Sequence, residues 1–288
     1  MAAAVPLLPL ATTRARRGPF TPIRRGVGTF EGEGGTIGWL VGDDALVVID
    51  TQFPESAQEC WEGLQERSGR GIDLLINTHH HQDHTAGNTV FKPHAARHLT
   101  HRNVPDLQRQ AAERNDTADV QAYPDQTYDE AWDQELGDER IRLRYYGPAH
   151  TGGDSVIHFE KADIVHMGDL MFNRMPPFID VPGGASTRGW ITVLETVHAN
   201  FTDETIFIYG HGNPAFGITG QREDLLVMRD FLSGLIEYVE AGRKAGKTAD
   251  DLAAVERLPG FPEHFSESWK QAVPNAILTV YKEMEDKG

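Results

Sequence analysis

Short runs of branched and aromatic residues recur along the chain, and most of them end at a polar, acidic or histidine residue. Runs of this length and composition are typical of strands buried inside a sheet. They predict strands over residues 26–30, 36–41, 45–50, 72–77, 141–146, 155–159, 163–167 and 205–209. Helical patterns instead predict helices over 55–67 and 187–200. The succession of strand, helix and strand between residues 45 and 77 indicates parallel strands.

Two apolar stripes mark the C-terminal part of the chain, over residues 221–288. The stripes recur at helical spacing and consist of Met228, Phe231, Leu232, Leu235 and Val239, then of Ile277, Val280, Tyr281 and Met284 after Pro274. Stripes of this kind are far more often packing faces than cofactor sites. We therefore predict C-terminal helices that pack on the same domain and cover its sheet.

The pattern is weaker between residues 90 and 135. His94, His98 and His101 stand at helical spacing and follow no strand, so we interpret them as one face of a helix rather than as a further metal site. Residues 102–135 are polar with few periodic apolar positions, which predicts loops and short helices on the surface. A flexible cover over a cleft is one interpretation of this segment.

Composition favours one principal domain and excludes several kinds of site. The chain has 288 residues, of which 39% are hydrophobic, enough to bury one large core. Its formal charge of -16 argues against non-specific nucleic-acid binding. The single cysteine, Cys60, allows neither an intrachain disulfide nor a thiolate metal cluster. Its helix-like neighbourhood predicts a thiol packed in the core.

The N-terminus has the character of a leader. Residues 2–11 are almost wholly apolar and the arginines follow them, which resembles an export signal that lacks its charged start. We predict a disordered leader or signal remnant over residues 1–25. This favours a periplasmic or secreted protein, with a cytoplasmic one as the alternative. No run approaches the roughly 18 apolar residues of a membrane span.

The segment 78–84 concentrates potential metal ligands directly after a predicted strand. Alternation along an extended chain points His79 and His81 in one direction and His80 in the other, so two imidazoles converge on one ion. Asp83 and His84 are then free to reach a second ion. Neutral imidazole suits zinc, and carboxylate adds oxygen ligation. The alternative is a solvated histidine loop.

Four further residues stand at strand ends and weaken that alternative: Asp50, His150, Asp169 and His211. Strand ends on a rigid scaffold are common positions for functional side chains. An isolated Asp50 is also explained as a turn or helix cap. The recurrence of the pattern at five strand ends favours a common site.

This ordered set resembles the metallo-beta-lactamase superfamily: a strand-end Asp, then His-x-His-x-Asp-His, then a lone His, Asp and His. The resemblance covers about residues 26–220. It implies an α/β fold, an αβ/βα four-layer sandwich of two mixed sheets with outer helices, with metals along one edge. It assigns His79, His81 and His150 to a first ion, Asp83, His84 and His211 to a second, and Asp169 to both. Asp50 would support the ligands without binding metal.

The resemblance also implies an activity. Two zinc ions, with iron or manganese as alternatives, would lie about 3.5–4 Å apart and share a water whose pKa falls toward about 7. The resulting bridging hydroxide would hydrolyse an ester, thioester, lactone or amide-type bond of a small-molecule substrate, with Asp83 relaying the proton. An aspartate at position 169 resembles glyoxalase II-like thioesterases and lactonases. The rivals are a class B-like beta-lactamase, a nuclease of the superfamily, an iron-dependent sulfur dioxygenase and a catalytically silent metal-binding protein.

The residues that follow Asp169 are candidate substrate contacts. Asn173, Arg174 and Phe178 belong to a Pro-containing segment that we predict to line the substrate pocket, with Arg174 facing an anionic group. An ordered loop without contact to substrate is the alternative. The fold hosts many reactions, so the substrate depends on such loops rather than on the ligand set. No sequence feature indicates an oligomeric state.

Overall fold

The first of two large sheets contains the N-terminal strands. The computed structural model of the protein describes residues 20–285. The sheet's strands are adjacent in chain order: β1 (Phe20–Arg24), β2 (Val27–Phe30), β3 (Ile37–Val41), β4 (Leu46–Ile49), β5 (Leu74–Ile76), β6 (His98–His101) and β7 (Gln126–Tyr128). Strands β1 to β4 pair antiparallel, and β4 to β7 pair parallel. The sheet is therefore mixed.

The second sheet is formed by later strands. The remaining strands are β8 (Ala131–Leu136), β9 (Glu139–Arg144), β10 (Val156–Phe159), β11 (Ile164–His166), β12 (Phe172–Asn173), β13 (Ile206–Ile208), β14 (His211–Gly212) and β15 (Thr219–Gly220). Six of them pair in the order β15-β13-β11-β10-β9-β8, with only β11 and β13 parallel. Strands β12 and β14 form a separate parallel pair.

Eight helices complete the part of the chain that the structure describes. They are α1 (Pro54–Ser68), α2 (Gln82–Thr85), α3 (Asn88–Phe91), α4 (Val104–Arg114), α5 (Thr187–Asn200), α6 (Glu223–Lys244), α7 (Ala249–Ala253) and α8 (Ala272–Glu285). Single turns of 3-10 helix lie at Lys92–His94, Ala118–Val120, Gly168–Leu170 and Val181–Gly183. No helix within residues 20–285 combines the length and apolar character that crossing a membrane requires.

Alternation along each strand builds the layers. In β4, Val47 and Ile49 pack between the two sheets, while Leu46 and Val48 pack with α1 on the outer face. In the second sheet, Ile157 and Ile208 enter the same central layer. Its other face packs against apolar residues of α5, α6 and α8. This helix-sheet-sheet-helix order confirms the predicted four-layer sandwich.

Several predicted helices are confirmed, and local residues explain where they begin and end. Helix α1 begins at Pro54, which is tolerated in the first turn, and ends at Gly69 in the left-handed conformation (φ 64°). Cys60 lies on its buried face, as predicted, and burial raises the pKa of its thiol well above the ordinary value. Helices α6 and α8 carry the two C-terminal stripes, and α8 already begins at Ala272 because its first turn accepts Pro274.

Other predictions about local structure were wrong. His98 and His101 lie in β6, a buried central strand, and not on a helix face. Helical spacing is misleading here because His98 is buried in the core, where its Nε2 lies 2.6 Å from Asn77 Oδ1. Within 102–135, α4 is the helix, whereas β7 and β8 are strands. Strand β8 lies at a sheet edge with one solvent-exposed face, so it lacks an apolar run.

Of the predicted leader over residues 1–25, the structure describes residues 20–25. Residues 1–19 lie outside the described residues. Phe20–Arg24, which we had included in the leader, form β1 and pair with β2, with Phe20 packed edge-on against Phe30 at 4.8 Å between ring centroids. The first sheet thus begins before residue 26, where we had placed the domain boundary.

Candidate metal centre

Both sheets contribute ligand-type side chains to one edge of the sandwich. The first sheet presents Asp50 after β4 and the segment His79–His84 after β5. His150 in the β9–β10 loop and Asp169 after β11 follow strands of the second sheet, and His211 lies in β14, which belongs to the separate β12–β14 pair and directly follows β13. The structure therefore brings together all seven residues that the sequence singled out as ligands.

The first cluster consists of His79, His81 and His150 together with Asp169. His81 Nδ1 lies 3.0 Å from both His79 Nε2 and His150 Nε2. Asp169 Oδ2 lies 3.8 Å and 3.6 Å from the same Nε2 atoms of His79 and His150. One hydrogen atom cannot satisfy His81 Nδ1 and two facing ring nitrogens, whereas a cation at their centre satisfies all three.

Hydrogen bonds on the far side of the rings fix the direction of their lone pairs. Thr78 Oγ1 donates to Asp50 Oδ2 at 2.7 Å, so it must accept from His79 Nδ1 at 2.9 Å. His150 Nδ1 donates to the Phe178 carbonyl oxygen at 2.8 Å. Both neutral rings therefore carry their hydrogen on Nδ1 and turn the Nε2 lone pair toward the cluster.

The second cluster consists of Asp83, His84 and His211. Asp83 Oδ2 lies 3.0 Å from His211 Nε2 and 3.6 Å from His84 Nε2. Asp169 reaches this cluster too, because its Oδ1 lies 3.0 Å from His84 Nε2 and its Oδ2 lies 3.4 Å from His211 Nε2. Its buried Oδ1 has no hydrogen-bond partner among the described residues. Asp169 is therefore placed to serve both clusters.

Close approach of the chain makes the position of Asp169 possible. A Cβ atom at Gly210 would lie 2.0 Å from Asp169 Oδ1, so any side chain at position 210 would displace the carboxylate. Gly210 directly precedes His211, which thereby reaches the same carboxylate from the neighbouring strand end.

Asp50 supports the site through hydrogen bonds to Thr78 and His84. Its Oδ1 accepts from the Thr78 backbone N–H at 2.7 Å, and its Oδ2 accepts from His84 Nδ1 at 2.8 Å. The backbone of Asp50 has a φ of 62°, in the left-handed region that few residues other than Asn, Asp and Gly adopt. Asp50 thus orients both His84 and the loop that carries His79 and His81.

The two clusters have opposite electrostatics. In the first cluster, burial lowers the pKa of His79 well below 6.5 and that of His150 to about 3. In the second, burial also opposes the charged form, but the charge of Asp169 outweighs it. This charge, with that of Asp83, raises the pKa of His84 well above its ordinary value and, together with hydrogen bonding, raises that of His211 to about 9.

The sequence model of the metallo-beta-lactamase superfamily matches residues 31–213, well over half of the chain and all seven ligand-type residues. The chain belongs to the metallo-beta-lactamase superfamily. The predicted resemblance is thereby confirmed.

Two curated relatives have names that describe different reactions. The chain is 28% identical over 148 residues to 2,4-dinitroanisole O-demethylase subunit alpha of Nocardioides sp. (strain JS1661), covering 49% of this chain and 44% of that one. It is 21% identical over 174 residues to metallo-beta-lactamase type 2 of Elizabethkingia meningoseptica, covering 60% and 67%. The chain thus spans less than half the length of the demethylase subunit.

Two solved structures share the fold. A metallo-beta-lactamase from Pontibacter korlensis superposes with a TM-score of 0.63 at 16% identity, covering 75% of this chain and 99% of that one. The sec-alkylsulfatase Pisa1 from Pseudomonas sp. superposes with a TM-score of 0.72 at 14% identity, covering 92% and 50%. At these identities the likeness concerns the fold alone.

A cavity of about 550 Å³ opens over the two clusters. Ligand-type residues form its floor, and the wall residues beyond them are Gln82, Ala111, Asn115, Phe172, Met175, Phe178 and Trp269. Trp269 lies beyond the range that the superfamily model matches, and its ring centroid is 6.3 Å from that of Phe178. The C-terminal part of the chain therefore helps to enclose the candidate site.

Of the three predicted substrate contacts, only Phe178 lines the cavity. Arg174 does not line the cavity, because its guanidinium pairs with Asp224 and lies over the ring of Phe216. Asn173 is not at the cavity either, because its amide donates to the carbonyl oxygens of Phe216 and Gly217. Both residues fix the segment that carries Phe178 and do not face the cavity.

Two residues beside the clusters escaped the sequence interpretation. His80, which we set aside, is buried, and its Nε2 lies 3.2 Å from Asp180 Oδ2. The same carboxylate oxygen lies 3.0 Å from His81 Nε2. His80 carried a usable signal, as a third histidine in the motif. Asp180 carried none, because it is 99 residues from His81 and follows no strand.

Proposed function

We propose that the protein is a hydrolase with two metal ions per chain, which cleaves an ester, thioester, lactone or amide-type bond in an uncharged, apolar substrate. The observation that carries the proposal is Asp169, whose carboxylate reaches both donor clusters at the floor of one cavity.

The donor atoms fit a pair of divalent cations. His79 Nε2 and His150 Nε2 turn lone pairs toward the first cluster. His84, whose Nδ1 donates to Asp50, would offer its Nε2 lone pair to the second cluster once Nε2 gives up its proton. Imidazole and carboxylate together suit zinc, and they accept iron or manganese as well. The first ion would be held by His79, His81 and His150, the second by Asp83, His84 and His211, and Asp169 would contact both.

The chain's own groups would organise the reaction around these ions. Two bound divalent ions supply a Lewis acid for the scissile carbonyl and bring the pKa of a shared water toward about 7. Asp83 lines the cavity, and its Oδ2 would hold and pass on a proton beside His211 Nε2. Phe172 stacks on His211 at 5.3 Å between centroids and keeps water from that side of the ring.

The cavity wall supports the substrate class. Its aromatic and thioether side chains, Phe172, Met175, Phe178 and Trp269, provide an apolar surface next to the ligands. Within the described part of the chain, the residues that line the cavity include no Lys or Arg. An anionic substrate group would find no partner on this wall, whereas an aryl or alkyl group would remove apolar area from water.

Metal analysis combined with a substrate panel tests the proposal. We expect two ions per chain and the highest kcat/KM for uncharged aryl and alkyl esters or lactones, with thioesters and anilides as further members. Turnover lost on chelation and restored by metal would support the proposal. A fully loaded protein inactive on every acyl substrate would overturn it.

The panel also separates the rival functions. Preferential cleavage of a chromogenic cephalosporin would indicate a beta-lactamase, and cleavage of a bis-aryl phosphodiester a nuclease. A single iron with uptake of dioxygen would indicate a sulfur dioxygenase. Two bound ions with no reaction across the panel would leave a silent metal-binding protein.

A second candidate function is hydrolysis of an activated aryl methyl ether. It is favoured by the similarity to the demethylase subunit and by the aromatic wall. Addition of water to 2,4-dinitroanisole would release 2,4-dinitrophenol and methanol, and the phenolate is followed by its absorbance. If 2,4-dinitroanisole is cleaved faster than aryl esters are, ether hydrolysis becomes the preferred function.

A further inference from the structure

His81 faces two different groups with its two ring nitrogens. Its Nδ1 points into the first cluster, 3.0 Å from His79 Nε2. Its Nε2 lies 3.0 Å from Asp180 Oδ2, in hydrogen-bonding geometry. A carboxylate accepts and does not donate, so this contact places the hydrogen of the neutral ring on Nε2. The lone pair of Nδ1 is then free for a cation.

Asp180 is itself held firmly. It begins the 3-10 turn Val181–Gly183, and its Oδ1 accepts from the Gly183 backbone N–H at 3.0 Å. A Cβ atom at Gly183 would lie 2.0 Å from Asp180 Oδ2, so only glycine leaves room for the carboxylate there. The two carboxylate oxygens therefore have separate tasks, one in the turn and one at His81.

His80 covers the same carboxylate from another side. Its ring is 1% exposed, and its Nε2 lies 3.2 Å from Asp180 Oδ2. Neither ring nitrogen of His80 has a hydrogen-bond partner of good geometry in the described chain. The buried ring of His80 lies against the carboxylate and shields Asp180 from water.

We propose that Asp180, backed by His80, is a positioning residue that holds His81 in the tautomer and orientation required to bind the first ion. The proposal rests on the ligand assignment of the proposed function, and it assigns Asp180 no contact with substrate or metal. The carboxylate does for His81 what the Phe178 carbonyl does for His150 and Asp50 does for His84.

Two substitutions separate positioning from a structural role. Asp180→Ala removes the acceptor for both the turn and His81. Asp180→Asn has the same shape and keeps an oxygen for the Gly183 N–H, but it turns its NH2 group toward His81 Nε2. That group donates, so it favours hydrogen on Nδ1, the wrong tautomer for the cluster. A residue that served only the turn would be rescued by Asn.

Metal binding and NMR give readouts that do not depend on turnover. Chelator competition should show affinity for one ion lowered about 10- to 100-fold in both variants, with a smaller loss in His80→Phe. In metal-free protein, the imidazole ¹⁵N shifts of His81 should report hydrogen on Nε2 in the wild type and on Nδ1 in Asp180→Asn. Glu139→Gln is the matched control, since Glu139 is a buried carboxylate that caps backbone N–H groups away from the site.

The outcomes are distinct. Wild-type affinity and an unchanged His81 tautomer in Asp180→Asn would overturn the proposal, even if Asp180→Ala fails to fold. Loss of a third ion from a wild type that binds three would overturn it too, because Asp180 would then be a ligand. A wild type that binds two ions but hydrolyses nothing would overturn the proposed function and leave this proposal standing.

Discussion

The two halves of the candidate metal centre differ in burial and in charge. The first cluster sets three histidines against the single carboxylate of Asp169, and its His79 and His150 side chains are 1% and 0% exposed. The second sets two histidines against Asp83 and Asp169, and Asp83 and His211 are 29% and 22% exposed. The rings of His79 and His150 in the first half are thus buried and neutral, whereas the second half is acid-rich and open to the cavity.

Under the proposed function, this difference suits the first half to retaining its ion and the second half to taking part in the reaction. Lone pairs of the buried, neutral rings are already directed at the first position, which favours tight retention of that ion. In the second half, carboxylates keep His84 and His211 protonated while metal is absent, so an ion must displace protons. Under the proposed function, proton transfer would lie on this side of the cavity, at the partly exposed Asp83.

Replacing the shared carboxylate should have the largest effect. Asp169→Ala removes the one side chain that reaches both halves, so we expect both ions to bind weakly. Turnover should fall about a thousandfold, which corresponds to an activation barrier higher by about 4 kcal/mol. Metal content and kcat/KM measure this. Asp133→Asn, in a surface ion pair with Arg144, is the control and should leave both unchanged. Loss of a single ion would show that Asp169 belongs to one half.

Removing one candidate ligand from either half should cost the protein only the ion of that half. His81→Ala and Asp83→Ala are both expected to abolish turnover and retain the fold, and each should keep the ion of the other half. Elemental analysis after gel filtration, with circular dichroism for the fold, tests this. If either variant lost both ions, the halves would bind cooperatively and the comparison would fail.

The stability of the metal-free protein should decrease both as the pH rises above 6.5 and as it drops below 6.5. The folded pKa of His211 is raised to about 9, so its contribution is complete below 6.5 and disappears as the pH rises toward 9. The folded pKa of His150 is lowered to about 3, so stability falls as the pH drops below 6.5 and the unfolded chain takes up the proton. Urea unfolding of His211→Gln and His150→Gln should flatten the alkaline and acid limbs respectively. Parallel curves for wild type and variants would contradict this.

The smallest effect is expected at the cavity wall. Trp269→Ala removes an aromatic surface but no ligand, so KM for an aryl ester should rise about tenfold while kcat and metal content stay unchanged. Val120→Ala, at an exposed residue away from the cavity, is the control. A change in kcat without a change in KM would place Trp269 closer to the reaction than the structure does.

Much of the fold and of the site follows from local sequence. Buried strands such as β4 and β13 are continuous apolar runs, so their ends, and with them Asp50 and His211, are visible as sequence positions. Strands β7 and β8 were missed because edge strands carry polar residues on their open face. His98 was misassigned because no sequence pattern distinguishes a histidine that pairs with Asn77 inside the core.

The parts of the site that sequence did not predict depend on tertiary contacts. Arg174 follows the ligand Asp169 closely, yet it faces Asp224, a partner 50 residues away that no spacing rule connects to it. Asp180 reaches His81 only after the chain has crossed from one sheet to the other. The assignment of the seven ligands stays a prediction until metal is measured.

The divided origin of the ligands has a consequence for the lifetime of the protein. His79 to His84 follow a strand of the first sheet, whereas His150, Asp169 and His211 each follow a strand of the second. Ions bound between them would link the sheets across their apolar interface, adding about 2.7 kcal/mol to folding when free metal is a hundredfold above its Kd. Without metal, the chain would open first along this seam. Its resistance to proteolysis would then report the supply of metal.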